Sequence, residues 1–499
     1  MMEATDASTV HGSDGALEKN VLGARAIVFM VLAFAAPISV VVGTMPLAFG
    51  FGNAVGVPGT YLISALVLFC FVAGYSAMSR HVVNAGAFYA YITRGLGKEV
   101  GGAAAYVALV AYGCLTIALC VMFGYFAASV LLGLFSIHLS WWVYSAAALA
   151  VVAVFGYRSV DMTAKILGVA LVLELVMITA LVVGVLVKYG TSAFHLSAFS
   201  PSSIFSGKPG VGFVYAFLSY IGIEATAIFS EEAKDPERTV PRASYGAVAL
   251  IGAVYVFASW ALLGAYGPAH VQAAAAAQPA LFAFGASQTV LGTFPTDVMQ
   301  ILLLSSLFAV VLAAHNSTAR YMYSMGRARL LPAGFGRSHT RWHSPYLGSV
   351  FMTLLTAVAV IAIKIAGGDP YLGFGGPMLA LGTVGILSLQ AVASASIFVF
   401  FRRLGDRRVW TTVLAPVLAG ACLTTAIVLI LGNYGMVTGS ASGLANNLPW
   451  IFVLAAAVGL AVAFYLKASK STAHRQLGTE DRAHDIDLGA GIVASPAAD

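Results

Sequence analysis

The sequence predicts an all-α integral membrane protein of twelve transmembrane helices. The first ten form two inverted five-helix repeats with helices 1 and 6 broken, and the last two are a peripheral pair. Three observations carry that prediction: the composition, the spacing of charge-free intervals, and helix breakers in corresponding apolar segments. Of 499 residues, 60% are hydrophobic and 9% charged, and the mean hydropathy is +0.90, whereas soluble domains carry about 25% charged residues. The intervals 26–79, 100–157, 243–296 and 409–466 contain no Asp, Glu, Lys or Arg, and each is long enough for two spans of about 20 residues with a turn between them. Shorter apolar runs lie near 162–188, 209–230, 298–319, 342–363 and 370–401.

These intervals allow twelve or thirteen spans, and residues 267–296 decide between them. The stretch begins Gly267-Pro268, contains the run AAAAAQP and scatters Gln, Ser and Thr. It suits an external loop with a short helix better than a lipid-facing span, which needs sustained apolar surface. With twelve spans, 23 of the 26 Lys and Arg residues fall on one side, leaving Lys188, Lys208 and Lys364 opposite. The positive-inside rule then puts both termini in the cytoplasm, in a multi-pass protein of the plasma membrane, or of the inner membrane in a Gram-negative cell. The net charge of +6 follows from this topology and is not a nucleic-acid footprint, because the bases border spans instead of forming one patch.

Residues 1–22 carry no cleavable signal pattern and read, like 469–499, as a mobile cytosolic end. Between them lie a core over 23–403 and two peripheral helices over 404–468. Cys70, Cys114, Cys120 and Cys422 all fall within predicted spans and match no metal-ligand spacing, so neither disulfides nor a metal or cofactor site is expected.

Unwound backbone at membrane depth is tolerated where protein or a water-filled cavity satisfies its polar groups. Span 1 contains Ala35-Ala36-Pro37-Ile38-Ser39, with a proline in mid-span that removes an amide donor. Span 6 contains Leu218 followed by Ser219-Tyr220-Ile221-Gly222-Ile223-Glu224. First and sixth are corresponding places in two five-span halves, the pattern of inverted repeats whose broken helices flank a mid-membrane site. Glu224 and Glu174 are the carboxylates set deep in apolar segments, and an ionisable group there is a functional candidate because insertion costs about 2.5 to 3.5 kcal/mol. Glu174 lies twelve residues from Met162, about 18 Å along a helix and near mid-span.

The stretch GIEATAIFSEEAKDPERTVPRA, Gly222 to Ala243, resembles the amino acid, polyamine and organocation permease superfamily. Gly222, Glu224, Glu231, Glu232, Lys234, Pro236, Arg238, Pro241 and Arg242 match that family's element, with Ile223 for the usual aromatic and Asp235 for the usual Asn. Arg320, Tyr323, Arg327 and Leu331-Pro332 are similar to a second family element, with Ala328 and Arg329 in place of its Asp-Gly, and Asn84-Ala85-Gly86-Ala87-Phe88-Tyr89 is similar to a third. The resemblance covers roughly residues 25–430. It implies secondary transport by alternating access, proton-coupled or by exchange and without covalent chemistry, of an amino acid or related small amine held by Ala35 to Ser39 and Leu218 to Ile223. It also implies that Glu224 is a protonation-sensitive element linking occupancy to gating. The competing role is a hydrogen bond that braces the break.

Glu174 stands where many members of that family carry a lysine, so the sign of the charge is reversed. Two readings follow: Glu174 carries the proton, since burial disfavours the charged form of a carboxyl, or it neutralises a cationic substrate or ion. Leu218 falls where some relatives place a stacking aromatic, which argues against stacking there. The expected partners are the substrate, a proton and membrane lipid, with no nucleic acid, in a monomer or homodimer. A polyamine or cation permease, and a nutrient sensor that kept the fold without moving cargo, stand as alternatives.

Overall fold

The computed structural model describes residues 28, 31–32, 34–82, 88–158, 161–224, 226, 234–438 and 446–469. The predicted mobile ends 1–22 and 470–499 and the motif residues Asn84, Ala85, Gly86, Ala87, Glu231 and Glu232 lie outside the described residues. Among the described residues the regular secondary structure is helical throughout.

The chain runs through α1 (Pro37–Gly43), α2 (Met45–Phe51), α3 (Val57–Ser79), α4 (Phe88–Leu96), α5 (Lys98–Phe135), α6 (Trp141–Arg158) and α7 (Asp161–Tyr189). It continues with α8 (Pro209–Leu218), α9 (Pro236–Tyr266), α10 (Val271–Ala277), α11 (Pro279–Leu291), α12 (Thr293–Arg327) and α13 (Tyr346–Ala366). It ends with α14 (Gly376–Leu404), α15 (Ala415–Gly432) and α16 (Trp450–Ala468). In so apolar a chain, helix starts are set by punctuation. Pro37, Pro58, Pro209 and Pro279 each sit in a first turn, where the missing N–H breaks no helical bond.

Ten of the described helices are long and apolar enough to cross a membrane: α3, α5, α6, α7, α9, α12, α13, α14, α15 and α16. The protein is therefore an all-α, multi-spanning membrane bundle. Its layers follow from burial. In their most apolar stretches α3 and α5 are 67% buried, against 22% for α13 and α16, so the first pair is central and the second faces lipid. On α13 the exposed residues Val350, Leu354, Val358, Ile361 and Ile365 recur every three or four positions, a single apolar stripe. The central helix α5 has 38 residues, about 57 Å of helix, and packs against α12, α14 and α16.

The stretch 267–296 folds mainly as α10 and α11, seven and thirteen residues long, short of the roughly 20 that a crossing needs. The helix α10 closes tightly on the end of α2, where a Cβ on Gly50 would lie 2.8 Å from the Ala276 nitrogen. The Gly367-Gly368 turn has φ of 73° and 97°, and Asp369 caps the next turn by accepting from the amides of Tyr371 and Leu372.

Candidate functional site

Both predicted interruptions are present. Residues 34 and 35 are helical, Ala36 then turns left-handed at φ 44°, ψ 68°, and α1 restarts at Pro37. The cause is local: a proline ring crowds the residue before it out of the right-handed helical region. The polar groups around this break are met by three helices. The Tyr255 hydroxyl of α9 donates to the Ala35 carbonyl at 2.7 Å. The Ile38 amide donates to Glu174 Oε2 of α7 at 3.3 Å, and the Ser39 amide donates to Ser306 Oγ of α12 at 3.4 Å. The Ser306 hydroxyl in turn donates to the same Glu174 Oε2 at 2.8 Å.

The second break follows α8. Residues 219–224 form turns, and Gly222 sits at φ 112°, a conformation that glycine adopts readily and other L-residues do not. A Cβ there would lie 2.5 Å from Cδ1 of Phe34, so the missing side chain also lets the two breaks touch. Glu224 folds back on its own turn: Oε2 accepts the Gly222 amide at 3.1 Å and Oε1 accepts the Tyr112 hydroxyl of α5 at 2.6 Å. The Tyr75 hydroxyl of α3 donates to the Glu224 carbonyl at 3.1 Å. The Tyr220 hydroxyl donates to the Tyr61 carbonyl at 3.0 Å, and the Tyr61 hydroxyl lies 3.2 Å from Ser219 Oγ. The Tyr255 ring meets both Tyr61 and Tyr220 edge-on while its hydroxyl holds Ala35, tying one break to the other.

Between the breaks is a cavity of about 50 Å³, room for about three or four waters. Phe34, Ala35, Ala36 and Ser39 line it from the first break, Leu218 and Ile221 from the second. The α5 helix adds Leu115, Leu119 and Met122, α12 adds Leu307 and Val310, and α14 adds Leu379. Among the described residues its lining includes no Asp, Glu, Lys or Arg. The buried Ser39 hydroxyl has no hydrogen-bond partner among the described residues, and an unmet buried hydroxyl costs about 1 to 3 kcal/mol.

Of the residues singled out in the sequence, Ala35, Ala36, Ser39, Leu218 and Ile221 thus line this cavity. Pro37, Ile38, Ser219, Tyr220, Gly222 and Ile223 are absent from its lining and are buried in the two breaks. Glu174 and Glu224 are 3% and 1% exposed, the first bonded to the amide of Ile38 and the second to that of Gly222. The amides of Ile38 and Ser39, donors that the first break could otherwise offer to a substrate carboxylate, already have protein acceptors in this structure. Sequence reasoning did not find the walls supplied by α5, α12 and α14, because a Leu or Val facing a cavity looks the same as one facing lipid. Tyr112 and Ser306 did carry a signal, as hydroxyls inside otherwise apolar spans.

The Tyr112 bond yields a direct prediction. In Tyr112→Phe the Glu224 carboxyl loses one donor, worth about 1 to 3 kcal/mol at a buried site. The variant should melt several degrees below the parent in a detergent thermal-shift assay, whereas Tyr144→Phe, whose hydroxyl has no partner among the described residues, should not.

A multi-spanning helical bundle with two interrupted segments around an internal cavity has the build of a membrane transporter. A family model described as amino acid permease matches residues 26–470, and the chain belongs to that family, as its motifs foreshadowed. It is thus a permease-type transporter of small polar or charged solutes, and not an enzyme. It is 26% identical over 320 residues to a low-affinity putrescine importer, PlaP, of Escherichia coli K12, covering 62% of this chain and 67% of that one. It is 25% identical over 377 residues to a branched-chain amino acid permease, BcaP, of Lactococcus lactis, covering 71% and 77%. With a chloroplastic cationic amino acid transporter of Arabidopsis thaliana it shares 29% identity over 219 residues, 43% of this chain and 35% of that one.

Proposed function

We propose that the protein carries a small amino acid with an aliphatic side chain across the membrane by alternating access, in symport with a proton taken up by Glu174. The observation that carries the substrate class is the cavity between the breaks: among the described residues its walls are uncharged and mostly aliphatic, with the Phe34 ring and two hydroxyl residues, Thr44, bonded to the Val40 carbonyl, and Ser39, whose hydroxyl is unmet. A diamine such as the putrescine named for the E. coli relative would need a carboxylate on that wall, and both buried glutamates are bonded to backbone amides of the breaks instead.

Counting the two interrupted segments with the ten long helices makes twelve crossings, a core over 23–403 and a peripheral pair over 404–468. Corresponding lengths support an inverted repeat over the core. The third and eighth crossings, α5 and α12, are the longest described, at 38 and 35 residues. The short α4 lies between the second and third crossings, and the short α10 and α11 lie between the seventh and eighth. A layer of buried tyrosines supports a gate toward the basic side. The Tyr112 and Tyr321 rings lie 5.1 Å apart, the Tyr75 and Tyr91 rings 4.8 Å, and the Tyr89 hydroxyl bonds Ser324. We read that side as cytoplasmic and the membrane as the plasma or inner membrane.

The bonds of the two glutamates support different roles. Glu224 accepts on both oxygens, so a proton arriving there lands on an oxygen already engaged with Tyr112 or Gly222 and weakens one of these bonds. Both bonds to Glu174 fall on Oε2, and among the described residues Oε1 has none. Oε1 can therefore take a proton without disturbing the break, which suits a carrier, while Glu224 suits a brace that transmits movement of the second break to the tyrosine gate.

Uptake into proteoliposomes tests the reading. Labelled alanine or valine should accumulate with an inward proton gradient, and putrescine should neither accumulate nor compete. Putrescine uptake in place of amino acid uptake would overturn the substrate class, and binding of either without flux would point to a sensor. Within the same assay, Val310→Trp, which fills the cavity from α12, should reduce amino acid uptake by about fivefold or more, as overpacking of about 1 to 3 kcal/mol implies.

A further inference from the structure

The turn after α14 packs four arginines and one aspartate into residues 402–408, and they are not equivalent. Arg403 donates from Nη1 to the Gly95 carbonyl at 3.0 Å. Arg408 donates to both Asp406 oxygens, Nη2 to Oδ2 at 2.6 Å and Nε to Oδ1 at 3.2 Å. Its guanidinium also lies 5.7 Å from the centre of the Phe401 ring. That hydrogen-bonded pair holds the Asp406 carboxyl below its usual range, so the acid stays ionised and its charge is answered locally. Arg402 and Arg407 are both exposed, and among the described residues their guanidinium groups have no hydrogen-bond or ion-pair partner.

Both of them line a cleft of about 480 Å³ together with Gly405, Asp406, Val409 and Val413. Immediately beyond it an apolar face begins, with Trp410, Leu414, Val417 and Leu418 exposed by 55%, 47%, 50% and 48%. Their spacing of four, three and one places them on one side of a helix, and a Trp at the head of such a stripe marks the membrane–water boundary. Two unopposed guanidiniums above a lipid-facing stripe match an anionic headgroup joined to acyl chains, since guanidinium pairs bidentately with phosphate oxygens. A free phosphate matches the cleft and leaves the stripe unexplained.

We propose that this cleft binds the headgroup phosphate of an anionic phospholipid whose acyl chains lie along Trp410, Leu414, Val417 and Leu418. Basic pockets between crossing helices on the cytoplasmic face hold anionic lipids in this manner. The site stands apart from the cavity between the breaks, and its test reads lipid binding without reference to transport.

The full-length protein, delipidated in a neutral detergent, is titrated with phosphatidylglycerol, phosphatidylcholine or inorganic phosphate and followed by native mass spectrometry and thermal shift. Phosphatidylglycerol should bind about tenfold more tightly than phosphatidylcholine, the equivalent of one charge-assisted hydrogen bond, and raise the melting temperature. Arg402→Gln with Arg407→Gln should abolish that preference while leaving the lipid-free melting temperature unchanged. Arg337→Gln with Arg341→Gln, on another basic loop, should preserve it. Equal binding of the two lipids, an unchanged preference in the Arg402 and Arg407 double variant, or full competition by inorganic phosphate would each overturn the proposal. If the double variant fails to fold, Arg402→Gln and Arg407→Gln taken singly should each weaken the preference, and an unchanged preference in both would overturn the proposal.

Discussion

Gly222→Ala is expected to abolish transport while the protein still inserts. At φ 112° an L-residue is strained by about 1 to 3 kcal/mol. The new methyl would also lie 2.5, 2.7 and 2.8 Å from Cδ1, Cγ and Cβ of Phe34, an overlap costing about 1 to 3 kcal/mol more. Even the lower sum, about 2 kcal/mol, is a factor of about 25 in any equilibrium that depends on the break. Relief is available by moving the second break away from the first, which opens the cavity they share. Adding Phe34→Ala should recover part of the loss, because it removes the clash and leaves the backbone strain. Gly113→Ala on α5, where a Cβ would meet nothing within 4 Å, should behave as the parent in proteoliposome uptake. If Gly222→Ala transports at the parent rate, the break is not part of the working cycle.

Glu174→Gln is the second large effect, and it falls on pH dependence before it falls on the fold. Glutamine keeps one acceptor oxygen for Ile38 and Ser306, so the first break stays braced, yet it neither gains nor loses a proton. Parent uptake should rise as the outer medium is acidified, because the proton that fills Oε1 enters with the substrate. The variant should be flat across the same range and should equilibrate substrate without concentrating it. For one proton per substrate, a gradient of one pH unit is worth about 1.4 kcal/mol, or about tenfold accumulation, and that factor should vanish. Glu224→Gln should do the opposite. Its amide nitrogen cannot accept, so either the Gly222 amide or the Tyr112 hydroxyl loses its acceptor; the rate falls and the pH profile keeps its shape. A flat profile for Glu224→Gln with a normal one for Glu174→Gln would exchange the two roles.

How far the sequence carries the account depends on what kind of signal each feature leaves. Bilayer thickness imposes a length on every span, so the class of the fold, an all-α multi-spanning bundle, was legible from charge-free intervals. Pro37 and Gly222 were legible because a proline or glycine inside an apolar span breaks a rule that the surrounding residues obey. Glu174 and Glu224 were legible for the same reason, as charges at depth. What each glutamate holds was not, since Ile38 and Ser306 reach Glu174 from positions 136 and 132 residues away, and that pairing exists only once α1, α7 and α12 meet. The cavity wall is the extreme case. Leu115, Leu307, Val310 and Leu379 follow the same apolar pattern as the lipid-facing Leu354 and Val358, and packing alone separates them. Arg402 and Arg407 were legible as topology markers, while their difference from Arg403 and Arg408 appears only in the hydrogen bonds those two make.

The central claim is that substrate occupies the cavity shared by the two breaks, and substrate protection at Ser39 tests it most directly. In a background where Cys70, Cys114, Cys120 and Cys422 are replaced by Ala or Ser, the thiol introduced by Ser39→Cys is labelled with a small membrane-permeant reagent while alanine or valine is titrated. Protection should appear at the same concentrations that half-saturate uptake, because the Ser39 side chain lines the cavity. Labelling that proceeds at an unchanged rate while uptake is saturated would place the substrate elsewhere and contradict the account.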